Sequence, residues 1–392
     1  MPVNFAIVGT GYVADMYPVT LVNHPRLRLV GAWDTNRENL DAFLGRWPVK
    51  TYCGIEALLG DPSIDLVLNL TNPRSHFEIT KRCLAAGKHV YSEKPMGMNL
   101  TEARELADLA AYNNLLLASA PCSVLSTTAQ TLWKAIREEI IGKVRLVYAN
   151  FDDGMIAPRE QPWNWKSASG VSWPAKDEFE TGCTYEHAGY VLTWLAAIFG
   201  PAERVTSFAS CQIPDKGIPV EKMAPDFTVG CIEYGDDVVA RVTCGLVAPH
   251  DKSLVVIGDQ GELFVGNVRN DVGPVMHRRA HPTRMQLAIM RRLPWLMKWF
   301  QSRFGINETT FFQRQLPPIR STSETLVSPS KPVDFLRGPA EMAAALHEKR
   351  PCRLSAELGV HIVELVEAMQ HPERFNGSKT MTTRFPRMLS ID

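Results

Sequence analysis

Phe5-Ala6-Ile7-Val8-Gly9-Thr10-Gly11-Tyr12-Val13-Ala14 decides the fold, because it is a short apolar run ending in a Gly-x-Gly-x-x-Ala turn. The run Phe5–Val8 reads as a buried strand, and a helix is expected directly after it over Ala14–Asn23. In that setting Gly9 permits the tight turn, Gly11 lets the backbone approach a pyrophosphate, and Ala14 keeps the helix close to the strand. The N-terminus of that helix is expected to offer amides and a positive dipole end to the phosphates. Thr10, Tyr12 and Val13 belong to the same loop and are expected beside the same ligand. Asp34 ends the next apolar run, Leu27–Trp33, about 20 residues on, where a carboxylate binds the adenine ribose hydroxyls. It favours NAD by repelling a 2′-phosphate, while Arg37 nearby leaves NADP open. The bland alternative for Asp34 is an N-cap of the helix that follows.

Outward from this turn, apolar runs alternate with helical stretches as in βαβ units. Further strands are expected at Leu66–Asn69, His89–Tyr91 and Leu115–Ala118. Helices are expected at Asn39–Arg46, His76–Ala86 and Leu100–Asn113, the last capped by Asn99 or Thr101. Past Ser119 strands follow strands: Val144–Phe151, Arg204–Cys211, Thr228–Tyr234, Val238–Leu246, Leu254–Gly258 and Glu262–Phe264. Hairpin turns are read at Tyr234-Gly-Asp-Asp237 and Gly258-Asp-Gln-Gly261. One long helix, Thr184–Phe199, stops at Gly200-Pro201, and helical Ala340–Glu348 and Glu357–Gln370 close the chain. The expectation is an α/β fold: an N-terminal Rossmann doubly wound parallel sheet in residues 1–121, then an α+β domain with a largely antiparallel open sheet in 122–392. Residues 268–337, rich in Arg, Pro and Ser, read as an insertion.

The length, 392 residues, suits two domains. Forty-two basic residues balance forty-two acidic ones, so no global electrostatic footprint for nucleic acid or an anionic membrane exists. No apolar run is long enough to span a bilayer and no basic leader precedes the first strand, so a cytoplasmic protein is expected. Eight cysteines are scattered, never as Cys-x-x-Cys and never beside a His at metal-ligand spacing. Reduced thiols and no metal are expected.

Two further motifs carry chemistry. Thr71-Asn72-Pro73 follows a strand, with His76 opening the next helix. Gly87-Lys-His-Val-Tyr-Ser-Glu93-Lys94-Pro95 runs through another strand to its end, at the sheet edge where ligands sit in doubly wound folds. Lys94 there would polarise a reacting hydroxyl; its alternative is a surface salt bridge.

These residues resemble the glucose-fructose oxidoreductase / inositol dehydrogenase / MocA family. The resemblance rests on Gly9-x-Gly11-x-x-Ala14, Asp34, Asn72-Pro73 with His76, and above all Ala85-Ala-Gly-Lys-His-Val90 leading into Glu93-Lys94-Pro95. It covers nearly the whole chain. It implies an NAD(P)-dependent dehydrogenase for a sugar, nucleotide sugar, polyol or related hydroxy compound, and a homodimer or homotetramer built through the C-terminal sheet. It also implies a catalytic helix of the form Asp-x-Gly-x-His-x-x-Asp, for which this chain has Cys183-Thr-Tyr185-Glu-His187-Ala-Gly-Tyr190. By this resemblance Lys94 and His187 flank the reacting carbon, His187 shuttling the proton with an imidazole near its ordinary pKa of about 6.5. Cys183, Tyr185 and Tyr190 depart from the pattern, which opens the question of the substrate.

Cys183 and His187 are four apart and share a helix face, a spacing that allows a thiolate–imidazolium pair; nucleophilic cysteine chemistry is not expected, because the pairing of Lys94 with His187 already explains those two residues. Tyr185 or Tyr190 is expected to reach the substrate, and Glu186 to face elsewhere as a structural residue. Asp152-Asp153, with Trp163, Trp165 and Trp173, offers carboxylates and flat rings suited to a polyhydroxylated ligand, or a capped turn and a plugged cleft. Pro121-Cys122 stands where the resemblance implies an Arg/Asn substrate segment. Met285–Phe304, with Leu287, Met290, Arg291, Trp295, Lys298, Trp299 and Arg303, is basic and aromatic and kinked at Pro294; a lid or subunit contact is favoured over a membrane or phosphate surface. The alternatives to net dehydrogenation are a retained-NAD cycle without net redox and a non-catalytic, cofactor-binding sensor or scaffold.

Overall fold

The computed structural model describes residues 1–281, 288, 291–304, 313–319 and 333–391. Six strands form a parallel sheet: β1 Val3–Val8, β2 Leu27–Trp33, β3 Lys50–Thr51, β4 Leu66–Asn69, β5 His89–Ser92 and β6 Leu117–Ser119. Their order is β3-β2-β1-β4-β5-β6, the doubly wound order whose reversal point lies beside β1. Alternation along β1 explains the layering, since Phe5 and Ile7 enter one core and Ala6 and Val8 the other. A sheet buried on both faces needs helices on both. α1 Arg37–Arg46, α2 Ile55–Leu59, α3 His76–Ala85 and α4 Leu100–Tyr112 supply part of that cover. Asn99 caps α4 through the Glu102 amide, and Asn36, not Asp34, caps α1.

The first crossover differs from expectation. Tyr12–Met16 and Pro18–Asn23 are two short 3₁₀ stretches, not a helix over Ala14–Asn23. Pro18 has no N–H and its ring opposes the carbonyl four residues back, so an α-helix cannot run through it. The glycine turn therefore lacks a long helix dipole behind it.

The second sheet has nine strands in the order β14-β13-β12-β11-β7-β10-β9-β8-β15. They are β7 Val144–Asp152, β8 Arg204–Ser210, β9 Phe227–Glu233, β10 Val239–Gly245, β11 Leu254–Gly258, β12 Gly261–Val265, β13 Val275–Arg279, β14 Arg314–Gln315 and β15 Ser378–Thr380. All pairs are antiparallel except β7 with β10. Of the stretch read as an insertion, Val275–Arg279 and Arg314–Gln315 extend this sheet. Arg291 and Arg292 are helical, Leu293 is not, and Pro294 opens a helix at Pro294–Phe304, so the helical stretch is interrupted at Pro294; Leu287 and Met290 lie outside the described residues.

Three more helices follow α4 before β8: α5 Thr127–Arg137, α6 Ala175–Thr181 and α7 Gly189–Phe199. α7 is buried on almost every side, with Trp194 at 0% exposure and its indole N–H donating to Ser123 at 3.0 Å. Each such large apolar side chain contributes about 1.5–3 kcal/mol on burial, so the helix is a fixed platform. α8 is Pro294–Phe304, α9 Arg337–Glu348 and α10 Ala356–Gln370. α9 and α10 return to the first sheet: Met342 and Ala343 join the Phe5 face, while Val360 and Val363 pack with Ala103, Leu106 and Ala110 on the other. The two sheets are thereby locked into one body, with a cleft at the carboxyl edge of the first.

Candidate functional site

The cleft floor is set by the ends of β1, β4 and β5. Gly9 has φ +92, and a Cβ there would lie 2.7 Å from backbone atoms of Leu70 and Thr71, so no other residue fits the turn. Gly11 is the opposite case: a Cβ would meet nothing within 4 Å. Its backbone faces open space on the cavity wall, a cradle that a methyl group would fill and a dinucleotide's diphosphate would fit. Asp34 stands at the end of β2, taking the amide of Thr10 at 2.6 Å and of Asn36 at 2.7 Å. Arg37 is exposed and pairs with Asp41.

Beyond β4, Asn69 accepts from the Thr71 hydroxyl at 2.7 Å, and Asn72 donates to Asp177 at 2.8 Å, tying this loop to the opposite wall. His76 lies between the carbonyls of Pro95 (2.7 Å) and Thr71 (2.9 Å), fixing the loop against the Lys94-Pro95 turn. Burial lowers its pKa against the pull of those carbonyls. Glu93 accepts from the Tyr17 hydroxyl at 2.7 Å and from the Lys94 amide at 3.0 Å.

A cavity of about 500 Å³ lies over this edge, between the two sheets. Gly11, Tyr12, Val13, Thr71, Asn72, Pro73, His76, Glu93 and Lys94 line it from the first half, and Asp153, Trp165, Trp173, Glu178, Glu186, His187, Tyr190 and Arg269 from the second. Lys94 forms an ion pair with Glu186. Burial works against its charge, but Glu186 and Glu178 outweigh that and hold the ammonium above its ordinary pKa. Glu178 is hydrogen-bonded to Glu186, and burial together with that neighbouring carboxylate raises its pKa well above the ordinary carboxylate value.

His187 sits in a π turn, Thr184–Ala188, that leads into α7. Its Nε2 is 3.3 Å from the Asp153 carboxylate, and its buried Nδ1 has no hydrogen-bond partner among the described residues. Burial, aided by the charges of Lys94, Arg269 and Lys252, pushes His187 down to about 3 against the pull of Asp153. The expectation of an ordinary imidazole is thus replaced by one held neutral. Asp153 itself falls to about 2: burial acts upward, but His187 and Lys252 overcome it. Phe151 stacks on Tyr190 with ring centroids 5.0 Å apart and lies 5.3 Å from the His187 ring.

Several expected residues stand away from the cavity lining. Gly9, Thr10, Ala14 and Asp34 shape the turn behind it. Asp152 is buried over Gly245, and its neighbour Asp153 takes the place at the cavity. Strand parity was the available signal, since Asp153 follows Phe151 by two and shares its face. Trp163 packs against Gly217, whereas Trp165 lines the cavity with Trp173, 5.4 Å away centroid to centroid. Cys183 is enclosed beside Cys244 and Thr228, and Tyr185 turns away to donate to the Met98 carbonyl at 2.8 Å. Glu186, expected to face elsewhere, enters the cavity because the wide π turn separates successive side chains by a smaller angle than an α turn. Arg269 was hidden in the stretch read as an insertion, with no local signal to mark it. Among the described residues no cluster of metal-ligating side chains is present.

Comparison with known proteins agrees with this architecture. Residues 3–120 match the family described as "Oxidoreductase family, NAD-binding Rossmann fold", and residues 129–264 match the "GFO/IDH/MocA C-terminal domain". The trans-1,2-dihydrobenzene-1,2-diol dehydrogenase of Mus musculus is 27% identical over 268 residues, 67% of this chain and 74% of that protein. Among solved structures, the aldose-aldose oxidoreductase from Caulobacter crescentus, complexed with glycerol, superposes with a TM-score of 0.72 at 15% identity, covering 97% of this chain and 100% of that one. The WlbA dehydrogenase from Bordetella pertussis, in complex with NADH and UDP-GlcNAcA, gives 0.67 at 16% identity, covering 98% of each. These structures share the fold. With both halves matched, the chain belongs to the GFO/IDH/MocA oxidoreductases and carries their NAD-binding Rossmann domain.

Proposed function

We propose that this oxidoreductase transfers hydride between a nicotinamide cofactor and a hydroxyl-bearing carbon of a sugar, nucleotide sugar or polyol, with Lys94 and His187 at the reacting centre. One observation carries the reading: Lys94 from the turn after β5 and His187 from the π turn before α7 line one cavity, and their surroundings favour the charged form of the first and the neutral form of the second. Gly11, Tyr12, Val13, Thr71, Asn72, Pro73, His76 and Glu93 would hold the cofactor, with Gly9, Thr10, Ala14 and Asp34 shaping its loop. When bound, the nicotinamide accepts or returns the hydride. Lys94, kept charged, donates a hydrogen bond to the substrate oxygen and stabilises negative charge there. His187, kept neutral, offers the lone pair of a ring nitrogen to the hydroxyl proton, and Asp153 stabilises the imidazolium that forms.

The division of labour places cofactor binding in residues 1–121 and substrate binding and assembly in 122–392. Asp34 favours NAD over NADP, since Arg37 is already paired. Eight free cysteines fit a reducing compartment, the cytoplasm. Among the described residues no helix is long and apolar enough to cross a membrane. A homodimer or homotetramer through the second sheet is supported by the apolar side chains on its open face.

Lys94→Ala is the direct test. Turnover of a sugar or polyol panel should fall by about 10²–10⁴-fold while NAD affinity, measured by calorimetry, stays near wild type. Equal loss of NAD binding removes the catalytic assignment. Tightly bound cofactor with no net reduced nicotinamide would indicate a retained-cofactor cycle.

A further inference from the structure

The cations at the cavity differ in whether a carboxylate holds them directly. Lys94 is paired with Glu186, and Lys252, adjacent to the cavity, with Asp153. Arg269 also lines the cavity, yet among the described residues its guanidinium has neither a hydrogen bond nor an ion pair, and its Nε is buried without a partner. A buried charged donor left unpaired costs free energy, and such deficits survive in native proteins where a ligand removes them.

The guanidinium is held in place by packing. Its central carbon lies 5.0 Å from the centroid of the Tyr190 ring, and Tyr190 is in turn stacked on Phe151. The backbone is anchored as well, the Arg269 amide donating to the Asn267 side chain at 2.8 Å and the Val268 amide to the Lys252 carbonyl at 2.9 Å. A planar fork of donors in a fixed orientation suits a carboxylate or a phosphate, which accepts two parallel hydrogen bonds. Asp153, Glu93 and Asp271 favour its charge from a distance, but among the described residues none accepts from the fork, and a neutral hydroxyl would engage only one of its donors.

We propose that Arg269 binds an anionic substituent of the substrate, a carboxylate or phosphate, so that this cavity takes a sugar acid or sugar phosphate in preference to a neutral sugar. The inference rests on reading the cavity as the hydride-transfer site. Phe151 and Tyr190 carry both Arg269 and His187, so the anionic group and the reacting carbon are addressed from one rigid aromatic column. The competing source of an anion is the cofactor's diphosphate, because Tyr12 in the glycine loop is within electrostatic reach of Arg269.

The test is isothermal titration of the NAD-saturated protein with D-glucuronate, D-galacturonate and inorganic phosphate, and with D-glucose and D-galactose as neutral counterparts, using wild type, Arg269→Gln and Arg269→Lys. At least one anion should bind more tightly than its neutral counterpart. Arg269→Gln should weaken that anion about tenfold or more, leaving neutral sugars and NAD unchanged, and Arg269→Lys should restore only part, since an ammonium lacks the fork. Anions that bind no better than neutral sugars, or that Arg269→Gln still binds fully, overturn the proposal. Loss of NAD affinity in the variant assigns the guanidinium to the diphosphate and overturns it too. Anion binding that depends on Arg269 while no ligand yields reduced nicotinamide would instead refute hydride transfer and leave the anion site standing.

Discussion

Gly9 and Gly11 show how the same residue type two positions apart serves different ends. At Gly9 both the positive φ and the backbone of Leu70 and Thr71 forbid a side chain, so Gly9→Ala should destabilise by at least about 1–2 kcal/mol, read as a lower thermal midpoint without ligand. At Gly11 the protein itself tolerates a methyl group. Gly11→Ala should leave the apo midpoint unchanged and weaken NAD binding by about tenfold, or roughly 1.4 kcal/mol, in calorimetry. His187 gives a third residue-scale expectation. Because burial and nearby cations hold it down to about 3, kcat/KM should show no inflection near pH 6.5, where an unperturbed imidazole of about that pKa would titrate. An inflection there that disappears in His187→Gln would contradict the neutral assignment.

At the scale of elements, the cavity depends on departures from regular structure. The π turn ahead of α7 directs both Glu186 and His187 inward, and the interrupted crossover after the glycine turn leaves Asp15 free to reach across the cleft. Asp15 accepts from Ser167 Oγ at 2.6 Å and from the Ser169 amide and hydroxyl at 2.7 and 2.6 Å, fastening the loop that carries Trp165 and Trp173. Asp15→Ala should cost about 2–3 kcal/mol in urea unfolding and expose that loop to limited proteolysis. Unchanged cleavage would show that the tryptophans hold the loop unaided. The glycine motif and the ends of the strands were legible locally, because a strand-to-helix turn restricts which residues fit. The π turn was not, since its extra residue is accommodated by packing against β7 and β10 and leaves no mark in hydrophobic periodicity.

For the molecule as a whole, α10 joins the two sheets and its histidine makes the joint sensitive to acid. His361 is fully buried, its Nε2 accepting the Ala202 amide at 3.0 Å and its Nδ1 lying 2.7 Å from the Thr383 hydroxyl, an arrangement that requires neutral imidazole. Burial lowers it to about 4. The unfolded chain binds this proton near about pH 6.5 and the folded one does not, so stability is full above that value and declines as pH falls toward 4. Urea midpoints should drop on acidification from about pH 7, with a slope of up to about 1.4 kcal/mol per pH unit for each such histidine, and His361→Gln should flatten it. The outer face of the second sheet carries Leu146, Tyr148 and Phe208, all exposed, with Arg241 stacked over Tyr148. Light scattering should report a dimer or tetramer that Tyr148→Glu combined with Phe208→Glu converts to monomer; an oligomer that survives both changes places the interface elsewhere.

From the linear chain alone came the parallel and antiparallel sheets, the cofactor turn and Lys94 at a strand end, because strand periodicity, glycine geometry and a strand-end lysine are local constraints written in neighbouring residues, whereas His187 was singled out by the resemblance of Cys183–Tyr190 to a family pattern. Tertiary structure alone decided that Glu186 takes Lys94, that Cys183 and Tyr185 turn away, and that Arg269 reaches the cavity from the loop after β12. Those outcomes depend on which surfaces are buried against each other across more than a hundred residues. Long-range burial sets both the direction a side chain takes and the charge it can keep.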